Sequence, residues 1–139
     1  MVLGAGGASR SIVYALLDCG VKSVHVVNRT FAKAEAMRET FGSGVKPAAW
    51  DDVPGLLEHV GLVVNTTSLG MHGQPPLAID LTPLANDAIV SDIVYVPLQT
   101  PLLAAAAARM RRSRRCPGRR LSDRGGDRLW TGPVLSASA

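Results

Sequence analysis

The sequence predicts an α/β fold with a doubly wound, mostly parallel sheet that is incomplete, followed by a disordered basic tail. Short β-branched apolar runs alternate with segments of helical periodicity, which is typical of parallel strands joined by crossover helices. A glycine-rich turn, Gly4–Gly7, directly follows the first apolar run, and the composition changes abruptly near residue 108. We expect helices to cover both faces of such a sheet.

The start of the chain predicts a strand, a helix and a second strand. Val2–Leu3 is the predicted end of the first strand. A helix is predicted from Ser9 to about Cys19, because apolar residues recur there at helical spacing and Gly20 follows as a stop signal. The run Ser23–Asn28 is short and β-branched, which favours a strand.

The middle of the chain predicts a second helix, a third strand and a short third helix. The segment Thr30–Gly42 is rich in alanine and glutamate. We expect Thr30 to cap this helix and Gly42 to end it. Val45–Ala48 is a weaker strand, and a short helix follows over Val53–His59.

Two further strands and a helix complete the predicted fold. Leu62–Asn65 is a buried strand that leads into a loop, Ile89–Asp92 is another strand, and Pro101 lies in the first turn of the last helix. In parallel sheets of this kind, ligands bind beyond the carboxyl ends of the strands. Four predicted strand ends should meet there, through Gly4–Ser9, Asn28–Thr30, Asn65–Ser68 and Asp92–Tyr95.

Composition and charge limit the class of protein. A chain of 139 residues, 47% of them hydrophobic, suits one domain, and no apolar run approaches the roughly 18 residues that span a bilayer. Two cysteines and no recognisable signal peptide favour a reduced, cytoplasmic setting without a membrane partner. Residues 1–108 carry six basic and nine acidic side chains, whereas residues 109–139 carry nine arginines and two aspartates. We therefore predict a domain over 1–108 and an Arg-rich, disordered tail over 109–139.

The segment Gly4–Ser9 matches the pattern G-x-G-x-x-[G/A/S] between a strand and a helix. Gly4 allows the tight turn, and Gly6 has no side chain to block a pyrophosphate. The small Ala8 and Ser9 let the helix approach the strand. Free N–H groups at the start of the helix then face the phosphates. In this context the pattern predicts a Rossmann-like dinucleotide site.

The end of the second strand distinguishes NAD from NADP. An acidic residue about 20 residues beyond the glycine loop would bind the ribose hydroxyls of NAD, but this region holds Asn28, Arg29 and Thr30, with Lys33 one turn later. Arg29 can bind a 2′-phosphate through a charge-assisted pair, and Lys33 adds a second positive charge. A solvated helix start is the alternative, although positive charge at a helix N-terminus is unfavourable without a compensating anion. We therefore predict NADP as the cofactor.

The segments VLGAGGASR, VNRTFAKAE, VVNTTSLGM and SDIVYVPLQTPLL, in this order and spacing, resemble the C-terminal NADP-binding domain of the shikimate dehydrogenase family. The resemblance covers about residues 2–108. Glutamyl-tRNA reductase and methylenetetrahydrofolate dehydrogenase share the glycine loop and sometimes the N-R-T segment. The N-T-T-S-x-G-M and Y-x-P-x-x-T-P-L segments are much more specific to the shikimate dehydrogenase family. The resemblance implies a two-domain enzyme that reduces 3-dehydroshikimate to shikimate with NADPH in aromatic amino-acid biosynthesis, with small-molecule partners and no nucleic acid.

The resemblance also implies roles for individual residues. The glycine turn would hold the pyrophosphate, the end of the second strand would surround the 2′-phosphate, and the N-T-T-S segment would line the cofactor groove. Ile93 would lie beside the nicotinamide, and Tyr95 would reach the substrate unless it only packs at the strand end. The implied cofactor-binding residues are Gly4, Ala5, Gly6, Gly7, Ala8, Asn28, Arg29, Thr30, Lys33, Asn65, Thr66, Thr67, Ser68 and Ile93. No metal is implied, and Met71 and the three histidines are expected to pack in loops or to be structural or solvent-facing.

Two departures from the family pattern bear on function. The substrate domain, with its paired serines and catalytic Lys–Asp pair, has no counterpart here, so we expect a truncated chain without catalytic residues of its own. Beyond Ala108 the family's G-L-x-M-L-x-x-Q segment is replaced by an arginine- and glycine-rich sequence that resembles a shifted reading frame. We expect marginal stability, weakened or absent NADP binding and negligible turnover for this chain alone.

Three functions stay open on this basis. The first is the cofactor domain of a shikimate or quinate dehydrogenase, whose substrate preference and oligomeric state the sequence does not determine. The second is a stand-alone NADP-binding module that acts with a separate substrate domain. The third is a basic-tailed protein that binds nucleic acid, against which the lack of aromatic residues among the arginines argues.

Overall fold

The computed structural model describes residues 1–113, so the tail predicted over 109–139 lies outside the described residues except for 109–113, which continue the last helix instead of being disordered. In the described part, five strands form one sheet and four α-helices connect or follow them. The strands are β1 (Val2–Leu3), β2 (Val24–Val27), β3 (Val45–Ala48), β4 (Leu62–Asn65) and β5 (Ile89–Asp92). The helices are α1 (Gly7–Asp18), α2 (Phe31–Phe41), α3 (Val53–Leu57) and α4 (Pro101–Ser113), with 3₁₀ turns over Gly42–Gly44 and Trp50–Asp52.

All strand pairs are parallel, and their order across the sheet is β3-β2-β1-β4-β5. The chain moves outward from β1 to β3 and then returns to the other side of β1 for β4 and β5. Leu3 lies opposite Val27 on one side and Asn65 on the other, and Asn65 lies opposite Asp92. This arrangement confirms the predicted doubly wound, parallel sheet.

Apolar clusters cover both faces of the sheet, because successive strand residues point to opposite faces. On one face, Leu3, Val27 and Val63 pack with Leu57 of α3 and Leu102 of α4. On the other face, strand residues pack against α1 and α2, and the buried members are Val2, Val13, Val24, Val26, Ala34, Met37, Val45 and Val64. Burial on both faces holds the strand ends, and therefore the turns that follow them, in fixed relative positions.

Two local predictions differ from the structure. Helix α1 begins at Gly7 rather than Ser9, because Gly6 has the extended backbone of a helix N-cap, with φ −91° and ψ −168°. Thr30 occupies the N-cap position of α2, but the expectation that its side chain caps the helix is wrong, since its hydroxyl makes no capping hydrogen bond. Instead, the Asn28 side-chain amide donates to the Thr30 carbonyl at 2.9 Å, which closes the turn between β2 and α2.

Candidate functional site

The carboxyl edge of the sheet brings together all four predicted strand-end segments. Strands β1, β2, β4 and β5 end level with one another. We call the turns that follow them the carboxyl rim, which consists of Gly4–Ser9, Asn28–Thr30, Asn65–Ser68 and Asp92–Tyr95. Strand β1 lies between β2 and β4, so a ligand placed over β1 can extend along the rim in both directions.

The backbone and its neighbouring side chains require glycine at position 4. Its φ of +105° lies in the region that favours glycine, and a Cβ there would lie 2.7 Å from the Thr66 hydroxyl oxygen and 3.1 Å from Cγ2 of Thr67. The Gly4 amide donates to the Val27 carbonyl at 2.7 Å, which ties the turn to the end of β2. The first glycine of the motif therefore permits close contact between the turn and the loop after β4.

Packing does not explain the glycines at positions 6 and 7. A Cβ at Gly6 or Gly7 would meet no protein atom within 4 Å, and both residues are exposed. The Ser9 side chain turns inward, where its buried hydroxyl donates to the Gly6 carbonyl at 2.6 Å. The first N–H groups of a helix have no partner within that helix, and the first turn of α1 carries no acidic residue. The accessible end of α1 therefore suits an anion.

Positive charge lies next to this helix end, where β2 leads into α2. Arg29 and Lys33 are exposed, and no acidic residue occurs between them; the first acidic residue of α2 is Glu35. The first turn of α2 is likewise free of acidic side chains. The rim over β2 is therefore cationic, as the sequence predicts.

The residues that follow β4 mostly make contacts within the protein. Asn65 is fully buried, and its Oδ1 accepts hydrogen bonds from the Thr67 N–H at 3.0 Å and from the Thr67 hydroxyl at 2.7 Å. The Thr66 hydroxyl donates to the Leu3 carbonyl at 2.6 Å. Ser68 is exposed. Of the four residues predicted to line the cofactor groove, the first three therefore shape the loop through their own hydrogen bonds.

Ile93 and Tyr95 are exposed at the end of β5. The Ile93 N–H donates to the carbonyl of the last β4 residue at 3.1 Å, which continues the strand ladder. Val94 lies between them and is buried, whereas Ile93 is 41% exposed and Tyr95 is 76% exposed. Further along, the His72 N–H donates to the Val96 carbonyl at 3.0 Å, which joins this loop to the one after β4. Both predicted contact residues thus lie accessible on the rim.

The sequence analysis placed Asp92 at this edge of the sheet without giving it a role, and it missed Thr100. The Asp92 carboxylate accepts hydrogen bonds from the Asn65 side-chain amide at 2.9 Å and from the Thr100 hydroxyl at 2.7 Å. The Thr100 hydroxyl in turn accepts from the Leu103 N–H at 3.3 Å and so caps α4. A threonine directly before Pro101 is a sequence signal for this cap. No local signal pairs it with Asp92.

His25 lies in β2, away from the carboxyl rim. Burial lowers its pKa, and the positive charges of the chain's amino terminus and of Lys46 act in the same direction. His25 and Lys46 line a cleft of about 670 Å³ beside β2 and β3, and none of the predicted site residues lines it. Within residues 1–113 there is no cluster of three or more possible metal-ligating side chains. No helix in this range is long and apolar enough to cross a membrane.

The parallel sheet, the accessible glycine turn and the cationic end of β2 define a Rossmann-like α/β domain whose rim suits a phosphate-bearing ligand. A family model described as "Shikimate / quinate 5-dehydrogenase" matches residues 1–72. The chain belongs to this family of dehydrogenases. The predicted resemblance to this family is therefore confirmed, and the matched range contains three of the four motif segments.

Relatives from several organisms agree with this assignment. The chain is 59% identical over 109 residues to "Shikimate dehydrogenase (NADP(+))" of Rhodopseudomonas palustris and 57% identical to that of Azorhizobium caulinodans. Each alignment covers 78% of this chain and 39% of the relative. The chain therefore spans about two fifths of the length of these relatives.

Solved structures give the same family. The quinate dehydrogenase from Corynebacterium glutamicum in complex with NAD has a TM-score of 0.70 at 32% identity, over 78% of this chain and 40% of that one. The shikimate 5-dehydrogenase from Thermus thermophilus, in complex with NADP(H) and shikimate, has a TM-score of 0.64 at 33% identity, over 78% of this chain and 39% of that one. Together with the sheet order, these structures confirm the Rossmann-like fold.

Proposed function

We propose that residues 1–108 form the NADP-binding domain of a shikimate dehydrogenase, which reduces 3-dehydroshikimate to shikimate with NADPH. The observation that carries this proposal is the charge at the end of β2, where Arg29 and Lys33 are exposed and no acidic residue lies between them. The 2′-phosphate distinguishes NADP from NAD, and a cationic surface attracts it whereas an acidic residue would repel it. The relatives described as NADP(+) enzymes support the same cofactor.

Each part of a bound dinucleotide would have a corresponding segment of the carboxyl rim. The turn Gly4–Ala8 and the end of α1 would hold the diphosphate, because backbone N–H groups and the helix dipole favour an anion there. Asn28, Arg29, Thr30 and Lys33 would surround the 2′-phosphate on the β2 side. On the β4 side, the loop that contains Asn65, Thr66, Thr67 and Ser68 would form the groove for the other half of the molecule, with Ile93 beside the nicotinamide.

NADPH supplies the hydride for this reduction, and the residues of this chain would bind and orient the reactants. Ile93, at the end of β5, would limit the position of the nicotinamide ring. The exposed phenol of Tyr95 can exchange hydrogen bonds with a hydroxyl or carboxylate of the substrate. Reduction also needs a proton donor held beside the carbonyl. The family's Lys–Asp pair has no counterpart in this sequence, so we propose that the chain alone binds the nucleotide weakly and does not turn over shikimate.

A quinate dehydrogenase that prefers NAD is the second candidate, because a quinate dehydrogenase in complex with NAD is among the structural relatives. A preference for NAD normally depends on an acidic residue that binds the ribose hydroxyls at the end of β2. Asn28 stands at this position, and its amide is engaged with the Thr30 carbonyl. The neighbouring Arg29 favours NADP, whichever of the two substrates the complete enzyme uses.

Isothermal titration of the chain with NADP⁺ and with NAD⁺ tests the proposed cofactor. A charge-assisted contact is worth about 1.5–3 kcal/mol, so we expect NADP⁺ to bind roughly 10- to 100-fold more tightly. Added salt should weaken NADP⁺ binding more than NAD⁺ binding, because exposed charges are screened. Equal affinities, or a preference for NAD⁺, would contradict the proposal. Shikimate-dependent NADPH formation by the chain alone at ordinary enzyme rates would contradict the expected lack of turnover.

A further inference from the structure

One carboxylate closes the loop between β5 and α4 at its base. Asp92 Oδ1 accepts hydrogen bonds from the Asn65 side-chain amide at 2.9 Å and from the Val94 N–H at 3.0 Å. Asp92 Oδ2 accepts from the Thr100 hydroxyl at 2.7 Å, at the far end of the loop. This single side chain therefore joins the end of β4, the turn that leaves β5 and the start of α4.

The hydrogen-bond partners of Asp92 are held by further contacts. Asn65 is fully buried, and its Oδ1 accepts from the N–H and hydroxyl of Thr67. Thr100 is 1% exposed, and its hydroxyl accepts from the Leu103 N–H. Hydrogen bonds to an ionised acceptor are stronger than those between neutral groups. Loss of this carboxylate would therefore release both ends of the loop, while the contacts of the glycine turn and of the β2 end stay intact.

The loop closed by Asp92 lies where the second half of the nucleotide would bind. With the diphosphate over β1 and the 2′-phosphate at Arg29 over β2, the rest of the molecule must extend over β4 and β5 on the other side of β1. Ile93 and Tyr95 are exposed at that end of the rim. We infer that Asp92 is a positioning residue, which places Ile93 and Tyr95 against the nicotinamide half by closing the base of their loop. This inference rests on the proposed NADP-binding function.

Binding of two ligands of different length distinguishes effects on the two halves of the site. Adenosine 2′,5′-bisphosphate would occupy only the side over β1 and β2, whereas NADP⁺ would also reach β4 and β5. Asp92→Ala removes three hydrogen bonds, so we expect the Kd of NADP⁺ to rise roughly five- to thirty-fold and that of the bisphosphate to change less than about twofold. Asp92→Asn keeps the size and one acceptor oxygen, and it should restore NADP⁺ binding to within about threefold of wild type.

Asp80→Ala is the matched control. Asp80 holds a turn of the same kind in the loop between β4 and β5, where its Oδ1 accepts from the Thr82 N–H at 2.9 Å and from the Thr82 hydroxyl at 2.6 Å. This variant should leave the affinity for both ligands unchanged. Thr100→Val is the second test variant if Asp92→Ala does not fold, because it removes the Oδ2 contact together with the cap of α4 and leaves the Asn65 and Val94 contacts of the carboxylate in place. It should weaken NADP⁺ binding and spare the bisphosphate in the same way, to a smaller extent.

The outcomes separate this inference from the proposed function. Selective loss of NADP⁺ binding in Asp92→Ala or Thr100→Val, with recovery in Asp92→Asn, supports the positioning role. Parallel loss of both ligands, or unchanged NADP⁺ binding in the folded variants, overturns the positioning role and leaves the proposed function intact. Binding of neither ligand by the wild-type chain overturns the proposed function, and the positioning role falls with it.

Discussion

Gly4 and Gly6 belong to one motif, yet they should respond differently to the same substitution. In Gly4→Ala the new Cβ would lie 2.7 Å from the Thr66 hydroxyl oxygen. The alanine would also have to adopt a left-handed backbone, which costs about 1–2 kcal/mol. Displacement of Thr66 would weaken its 2.6 Å hydrogen bond to the Leu3 carbonyl, a loss of about 1 kcal/mol. We therefore expect the free energy of unfolding to fall by about 2–3 kcal/mol.

Gly6→Ala is the matched comparison. Its Cβ would meet no protein atom within 4 Å, so we expect a loss below about 1 kcal/mol, because alanine is a poorer N-cap than glycine. Its methyl group would instead obstruct the approach of a diphosphate, so NADP⁺ affinity should fall. Urea unfolding followed by circular dichroism measures stability, and nucleotide titration measures binding. A Gly4→Ala chain as stable as wild type, or equal destabilisation by both variants, would refute the distinction between the two glycines.

Two further predictions concern stability. Burial lowers the pKa of His25 and lowers that of the Met1 amino group to about 6, so the unfolded chain binds more protons than the folded chain, and the free energy of unfolding should decrease as the pH falls below about 8, with the part due to His25 lost below about 6.5. Urea melts at several pH values measure this, and His25→Gln should remove only the part below about pH 6.5. Met37 of α2 is fully buried against β2 and β3, so Met37→Ala should cost about 2–5 kcal/mol in the same assay. A loss below about 1 kcal/mol would contradict this packing.

Strands β2 and β4 were predictable because each is a short, mainly apolar run that alternates with helical segments, whereas β3 contains Lys46 and Pro47 and β5 ends in Ser91 and Asp92. The predicted bounds of β3, β4 and β5 agree with the structure. Helix ends were less predictable, since backbone hydrogen bonds rather than residue types decide the last turn. Thus α1 begins at Gly7 instead of Ser9, and α3 ends at Leu57 instead of His59.

The sequence predicted which segments meet at the carboxyl rim, but not which side chains turn inward. Asn65 donates to Asp92, 27 residues away, and Thr66 donates to Leu3, 63 residues away. Such contacts follow from the register of parallel strands, which local patterns do not encode. Thr30 illustrates the same limit at short range, because it occupies the N-cap position of α2 but its hydroxyl makes no capping hydrogen bond. The residues that shape the groove could therefore be identified only from the fold.

The central claim, that the rim over β2 recognises a 2′-phosphate, is tested most directly by the ratio of the Kd values for NAD⁺ and NADP⁺ in wild type and in Arg29→Glu. Arg38→Glu is the control, because Arg38 is an exposed arginine in the last turn of α2, the helix that begins just after Arg29. We predict that wild type and Arg38→Glu prefer NADP⁺, and that Arg29→Glu loses or reverses this preference because a carboxylate repels the phosphate. A wild-type preference for NAD⁺, or an unchanged ratio in Arg29→Glu, would contradict the claim.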